Sequence, residues 1–279
     1  MSSKISLCSL CLKFLLLSPF LAAEPLFDAH LHYNDADAAY YSPQQIIEKL
    51  DLSKVEQAAV TSTPPQFVQR LHQHAPERIL PLLGVYQNHE DKLKWPQDNG
   101  LPGRIEANLK QGSWRGIGEL HLFAKDRHSP VFRRIIELAG QYKLPLLLHT
   151  DPAVIDTVYD VSPTQPVIWA HAGTFPYPDL LADYLQRYPA LSVDLSVRDE
   201  RIAPNGEILD AWYELFVTYP DRFLIGVDTY SLSRWHEYAR VVEQIRQWID
   251  QLPQAIATRL AYENAAAIFN GSNHKPVKK

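Results

Sequence analysis

The stretch Phe27-Asp28-Ala29-His30-Leu31-His32 gives the first indication of how this chain folds. Successive side chains of a β-strand point to opposite faces, so Asp28, His30 and His32 are predicted to share one face, opposite an apolar row of Phe27, Ala29 and Leu31. Two imidazoles side by side on a rigid strand suit a divalent transition metal. A buried strand whose histidines only hydrogen-bond to neighbours is the alternative that this pattern alone leaves open.

Seven more short apolar runs follow this stretch, and segments with helical spacing separate them. The eight runs cover residues 25–32, 57–61, 79–86, 115–121, 144–149, 166–171, 191–197 and 223–228. Alternating strands and helices indicate a parallel sheet, and eight such units predict an α/β fold that closes into a single (β/α)8 barrel. An open doubly wound sheet is the structural alternative, but no Gly-x-Gly-x-x-Gly turn follows the first run.

The helical segments are predicted from apolar spacing and from their starting residues. Ser42 before Pro43, for example, is a typical N-cap followed by a first helical proline. The predicted helices cover residues 43–52, 64–74, 104–111, 129–142, 152–159, 178–188, 207–219 and 233–249, with closing helices at 254–260 and 264–269. Residues 88–103 are polar and carry two prolines, so they are predicted to form a loop.

Residues 1–23 have the layout of a secretory signal peptide. Lys4 and Lys13 are its only charges, residues 14–21 form a short apolar run, and small residues follow at Ala22 and Ala23. The run is too short to span a bilayer, although an uncleaved anchor or a misassigned start codon remains an alternative. We therefore predict an exported protein, periplasmic or secreted, with a signal peptide at 1–23, a barrel at 24–270 and a disordered tail at 271–279.

Composition limits how the fold is stabilised and what it binds. Cys8 and Cys11 both lie in the predicted signal peptide, so a hydrophobic core and not disulfides must hold the mature fold. Loss of Lys4 and Lys13 takes the formal net charge from −5 to −7. An acidic chain argues against a broad nucleic-acid or anionic-membrane footprint. The expected partner is a small-molecule substrate, with no nucleic acid and no stable membrane insertion after signal cleavage; the sequence predicts no oligomeric state.

Polar residues end five of the eight predicted strands, and a barrel brings its strand ends together at one mouth. The metal-compatible residues at these ends are His30, His32, Glu119, His149, His171 and Asp228. Four imidazoles and two carboxylates suit one or two divalent ions, preferably Zn²⁺, with Mn²⁺ or another transition metal as alternatives. Each residue also has a purely structural reading, such as a buried Glu119 paired with a neighbouring cation.

Other polar residues near these strand ends are weaker candidates for contacts with a substrate. They are His121, Asp151 and Arg198, and Asp151, directly before Pro152, fits a helix N-cap better. Residues 191–197 alternate polar and apolar, so Ser192, Asp194 and Ser196 are predicted to point into the barrel.

Several of these stretches together resemble the amidohydrolase superfamily of metal-dependent barrel hydrolases, and most of all its "amidohydrolase 2" branch. The motifs are Phe27-Asp28-Ala29-His30-Leu31-His32, Gly116-Ile117-Gly118-Glu119-Leu120-His121, Leu147-Leu148-His149, Trp169-Ala170-His171-Ala172-Gly173 and Gly226-Val227-Asp228-Thr229. Residues 264–269 also resemble the closing helix of that family. The resemblance covers nearly the whole chain after residue 23.

The resemblance implies a role for each strand-end residue. His30 and His32 match the family's first-strand ligands, and His149 and His171 match its fifth- and sixth-strand histidines. Asp228 matches the eighth-strand aspartate that acts as general base and often as a ligand. Glu119 occupies the place where many members carry a carboxylated lysine that bridges two metals. A glutamate at this place resembles the TatD-type nucleases. The resemblance therefore permits either one or two ions.

The function that these features predict is hydrolysis of an ester, lactone, amide or related bond in a small molecule. A divalent ion would activate the attacking water, Asp228 would accept its proton, and His171 would stabilise charge on the attacked carbonyl. The alternatives are a non-oxidative metal-dependent decarboxylase, a TatD-like nuclease and a non-catalytic exported binding protein.

Overall fold

Eight parallel strands, arranged in chain order, form the centre of the molecule. The structure is a computed structural model, and it describes residues 25–271. The strands are β1 Leu26–His32, β2 Val55–Thr61, β3 Ile79–Leu83, β4 Gly116–Leu122, β5 Leu146–Thr150, β6 Val167–Trp169, β7 Leu191–Asp194 and β8 Phe223–Leu224. Backbone hydrogen bonds of 2.8 Å from Ala29 N to Ile225 O and from Asp228 N to His30 O join the last strand to the first. The predicted (β/α)8 barrel is confirmed. The predicted signal peptide and residues 272–279 of the predicted tail lie outside the described residues.

Helices cover the outside of this barrel and connect its strands. They are α1 Asp35–Tyr40, α2 Pro43–Leu52, α3 Gln66–His74, α4 Asp91–Lys94, α5 Leu101–Gln111, α6 Pro130–Tyr142, α7 Pro152–Val161, α8 Pro178–Arg187, α9 Asp199–Ile202, α10 Asp210–Thr218, α11 Leu232–His236, α12 Tyr238–Ile249, α13 Gln254–Thr258 and α14 Asn264–Gly271. The prediction of a loop over residues 88–103 is wrong in part, because α4 and the start of α5 lie there. A helix as short as α4, α1 or α9 shows too little of a 3.6-residue period to be predicted from spacing.

The end of the barrel that carries the strand N-termini is filled by apolar side chains. Phe27 and Ala29 of β1 belong to this inner cluster, and Phe269 of α14 stacks on Phe27 with ring centroids 5.7 Å apart. α14 therefore plugs this end of the barrel. Residues 25–271 contain no helix with both the length and the apolar character that a membrane crossing needs.

β1 departs from simple alternation at its centre, where its pairing with β2 shifts register between Asp28 and Leu31. Phe27 and Ala29 pack inside the barrel, whereas Leu31 belongs to the cluster between sheet and helices. The carboxylate of Asp28 accepts a hydrogen bond of 2.9 Å from the hydroxyl of Tyr238 in α12. The prediction that Phe27, Ala29 and Leu31 share one face is therefore wrong, because an irregular strand cannot keep a period of two.

Candidate active site

A cavity of about 650 Å³ opens at the C-terminal ends of the strands. His32, Glu119, His149, His171 and Asp228 are among its lining residues, and His30 is fully buried beside them. The structure thus brings together all six strand-end residues that the sequence predicts as metal ligands. Five different strands or strand ends position them, which is the arrangement that a barrel makes at its mouth.

Glu119 lies at the centre of this cluster. Its Oε1 is 3.1 Å from His149 Nδ1 and 3.2 Å from His171 Nε2. Its Oε2 is 3.5 Å from His32 Nε2 and 3.4 Å from His121 Nε2. One carboxylate therefore faces imidazoles on both of its oxygens, as a carboxylate shared between two ions would.

Asp228 approaches the same imidazoles from the segment that follows β8. Its Oδ1 is 3.2 Å from His32 Nε2, and its Oδ2 is 3.7 Å from His171 Nε2. Oδ1 is buried, and although His32 Nε2 lies 3.2 Å away, the two atoms are not aligned as a hydrogen bond, so within residues 25–271 this oxygen has no hydrogen-bond donor. A buried carboxylate oxygen without a donor is costly unless a cation satisfies it, so this atom fits a metal ligand.

Three groups of three residues could each hold a divalent ion, since their ligand atoms all lie within 4.8 Å of one another. They are His30 with Glu119 and His171, His30 with His32 and Asp228, and Glu119 with His121 and His149. Imidazole nitrogens and carboxylate oxygens are donors that Zn²⁺ and similar ions accept. The residues present therefore fit the divalent metal of the predicted site, and they do not identify the element.

His121 belongs to this cluster, although the sequence suggests it only as a substrate contact. Its ring stacks on that of His149 with centroids 4.6 Å apart, and Nε2 faces Glu119. Burial lowers the pKa of His121 to about 3, which keeps its imidazole neutral and able to coordinate a metal. The signal in the sequence was the pair Glu119 and His121 on β4, which repeats the spacing of His30 and His32.

Asp194 and Ser196 orient the rings of His30 and His171 by contacting the ring nitrogens that point away from the cavity. Asp194 Oδ2 lies 2.8 Å from His30 Nδ1, and Ser196 Oγ donates to Asp194 Oδ2 over 2.6 Å. Ser196 Oγ also lies 2.8 Å from His171 Nδ1. With Nδ1 engaged in this way, both rings present Nε2 to the cavity, which is how outer partners prepare metal-binding histidines. The alternation of residues 191–197 indicated that these side chains point inward, but it did not indicate this role.

Buried carboxylates also set the charge of His30. Burial works against protonation, but the negative charges of Asp194, Asp228 and Glu119 raise the pKa of His30 to about 10. Burial raises the pKa of Asp194, but the positive charge of His30 lowers it further, so that the pKa lies at about 2. Without a metal the site thus retains a proton on His30, where a divalent ion would displace it.

Close approach at the last strand requires a glycine. A Cβ at Gly226 would lie 2.6 Å from Asp194 Oδ1 and 2.9 Å from His30 Cβ. Because real Cβ atoms do not approach other atoms this closely, Gly226 is what lets the Asp194–His30 pair pack against β8.

Arg198 and Asp151, the two other predicted substrate contacts, form hydrogen bonds with other residues of the protein. Arg198 lines the cavity, but its guanidinium donates to the carbonyl oxygens of His171 and Gly173. Asp151 occupies the N-cap position of α7, and its carboxylate accepts from Ala124 N and from Thr174 Oγ1. Asp151 therefore ties two loops together and is not among the residues that line the cavity.

The barrel together with this cluster defines the class of the protein, a metal-dependent hydrolase. The sequence profile of the family described as "TatD related DNase" matches residues 27–166, half of the chain, and the chain belongs to that family. This confirms the predicted membership of the superfamily of metal-dependent barrel hydrolases. No sequence among the curated proteins matches this chain.

Solved structures show the same fold at low sequence identity. A TatD homologue from Escherichia coli K12 is 15% identical, covers 88% of this chain and 98% of its own, and has a TM-score of 0.60. An amidohydrolase from Burkholderia multivorans with bound HEPES and a probable 2-pyrone-4,6-dicarboxylic acid hydrolase from Acinetobacter baumannii with bound citric acid are each 14% identical. Both cover 88% of this chain and 99% of their own, with TM-scores of 0.59.

Proposed function

We propose that this protein hydrolyses an ester, lactone, amide or related bond in a small molecule, with Asp228 as general base. The observation that carries the proposal is the meeting of Asp228, Glu119 and the strand-end imidazoles at the floor of a cavity of about 650 Å³. A volume of this order suits a small organic substrate.

His30, His32 and Asp228 would hold one ion, and Glu119 with His121 and His149 would hold a second. A divalent ion bound here lowers the pKa of a coordinated water towards neutrality and polarises the bond under attack. Zn²⁺ is the ion we propose for these nitrogen and oxygen donors, with Mn²⁺ as the principal alternative.

Asp228 and His171 have separate roles in the proposed reaction. The carboxylate of Asp228 accepts the proton of the attacking water and passes it to the leaving group. His171 presents Nε2 between Glu119 and Asp228. Because its Nδ1 donates to Ser196 Oγ, Nε2 carries the lone pair, so His171 would stabilise charge on the attacked oxygen through the ion that it helps to hold. Ser196 fixes the orientation of the His171 ring through Nδ1.

The test is a metal-reconstituted screen against lactones, esters, amides, phosphodiesters and aromatic acids. We expect hydrolysis of a small carbonyl or related substrate that is abolished by a chelator and restored by Zn²⁺ or Mn²⁺. The Asp228→Asn variant should keep its fold and lose turnover by orders of magnitude. Unchanged turnover in this variant would remove the mechanism, CO₂ release from aromatic acids would favour the decarboxylase, and the absence of bound metal would favour a binding protein.

Phosphodiester hydrolysis is a second candidate, because the family match itself favours it. The formal net charge of −5 argues against a long nucleic-acid footprint, since such footprints are basic. If the protein cleaved single-stranded DNA faster than every small-molecule substrate in the screen, phosphodiester hydrolysis would become the favoured function.

We also propose that the protein is exported, on the strength of the charge and apolar pattern of residues 1–23. Cell fractionation with N-terminal sequencing of the mature protein tests this. Recovery outside the cytoplasm with a start near residue 24 is the expected result.

A further inference from the structure

The segment between β3 and β4 forms one wall of the cavity mouth. Gln87, Asn88, His89 and Lys92 from this segment are among the lining residues. Lys92 belongs to the short helix α4 and is half-buried, unlike its neighbours Leu93 and Lys94, which are exposed.

The other charged side chains next to Lys92 already have partners. Lys94 Nζ lies 3.1 Å from Glu90 Oε2, and Asp91 Oδ2 accepts from the backbone N–H of Gln87 over 2.7 Å. Lys92 makes no ion pair or side-chain hydrogen bond with the part of the chain that the structure describes. Its ammonium lies 6.0 Å from the centre of the Tyr86 ring, which also lines the cavity.

The second cation of the lining lies on the opposite side of the mouth. Arg198 follows β7, four strands from β3 around the eight-stranded barrel. Its Nε and Nη2 are occupied by the carbonyl oxygens of His171 and Gly173. Lys92 is therefore the lining cation whose three donors remain available to a ligand.

We infer that Lys92 binds a negatively charged group, a carboxylate or a phosphate, on the part of the substrate nearest β3. The unpaired ammonium lies at the lining of the cavity, and an anionic group of the substrate would form a charge-assisted hydrogen bond with it. Lys92 is thus a specificity-determining residue. This inference rests on the proposed function, which places the scissile bond of the substrate at the metal cluster.

Equilibrium binding to the metal-reconstituted protein tests this without turnover. The probes are butyrate, glutarate and 4-phosphonobutyrate, which share one chain and differ only at the far end, with pentanoate and adipate as a longer pair. We expect the wild type to bind the doubly charged member of at least one pair roughly tenfold more tightly, as one charge-assisted hydrogen bond provides. A larger gain for 4-phosphonobutyrate than for glutarate would assign the group as a phosphate, and the reverse as a carboxylate.

Lys92→Met should remove this preference and leave butyrate binding unchanged, whereas Lys92→Arg should retain part of it. Lys94→Met is the matched control, since Lys94 lies on the same helix and is paired with Glu90 away from the cavity lining. A preference that survives in Lys92→Met, or equal binding of all probes to the wild type, would overturn the inference. A clear preference in a protein that hydrolyses nothing in the screen would instead count against the proposed function alone.

Discussion

Arg198 Nε donates a hydrogen bond of 2.7 Å to the carbonyl oxygen of His171. His171 has a φ of 57°, a left-handed conformation that non-glycine residues adopt only at a cost. After β8 a comparable contact supports Asp228, whose φ is 55°. Arg234 donates from Nε to the carbonyl oxygen of Asp228 over 3.4 Å and from Nη2 to that of Val227 over 2.6 Å. Two arginines thus hold the backbone at the two residues that we propose for the chemistry.

Replacement of Arg198 by methionine should lower kcat more than it changes KM. The guanidinium positions His171 through its backbone, so its loss should reduce kcat and metal affinity each by roughly tenfold, the effect expected of outer-shell partners. Steady-state kinetics and metal titration measure both quantities. Lys125→Met, at an exposed side chain, is the control. A raised KM at constant kcat would instead show that Arg198 binds substrate directly.

Asp194→Asn should weaken metal binding while the protein still folds. The amide cannot match the charge that Asp194 offers to His30 Nδ1 at 2.8 Å, so metal affinity should fall roughly 10–100-fold. Competition with a chromogenic chelator measures this change. Asp156→Asn, which alters a carboxylate bound to Tyr184 and Arg187, should leave metal affinity at the wild-type value.

The metal-free protein should lose stability at both ends of the pH range. His30, with a pKa raised from 6.5 to about 10, stabilises the fold fully below pH 6.5, and this contribution disappears as the pH rises through 10. Asp194, with a pKa lowered from 3.8 to about 2, contributes above pH 3.8 and loses its contribution as the pH falls through 2.

Urea unfolding at a series of pH values, with and without a chelator, checks this expectation. Added Zn²⁺ should stabilise the protein more at pH 8 than at pH 6, because the ion displaces the proton of His30. Equal stabilisation at both values would show that His30 is not protonated in the metal-free site.

Phe269→Ala should destabilise the barrel without touching the catalytic mouth. Phe269 is fully buried and stacks on Phe27 at the plugged end, so we expect a loss of about 3–5 kcal/mol in the free energy of unfolding. Leu93→Ala, at a side chain that is 86% exposed, should change it by less than about 0.5 kcal/mol. Denaturant unfolding compares the two variants.

The barrel could be predicted from the sequence because its signals are local and repeated. Each strand is a short apolar run, and Ser42 and Ser129 cap the helices α2 and α6, which begin at the prolines that follow them. The strand-end residues His30, Glu119 and Asp228 could be placed together because the topology fixes where strands end.

What the sequence left out depends on contacts between distant residues. Asp194 orients the ring of His30, which lies 164 positions away in the chain. The guanidinium of Arg198 is hydrogen-bonded to a carbonyl oxygen in the turn after β6. The irregular pairing of β1 with β2 was also not predictable, since a register shift leaves no mark on composition.

The bond from Asp228 N to His30 O joins the beginning of the barrel to its end. A ribosome-bound chain that has emerged only through β7 therefore lacks both this bond and the carboxylate of Asp228. The proposed ion site of His30, His32 and Asp228 can therefore form only after the eighth strand docks, whereas the donors of the proposed second site, Glu119, His121 and His149, all precede that strand in the chain.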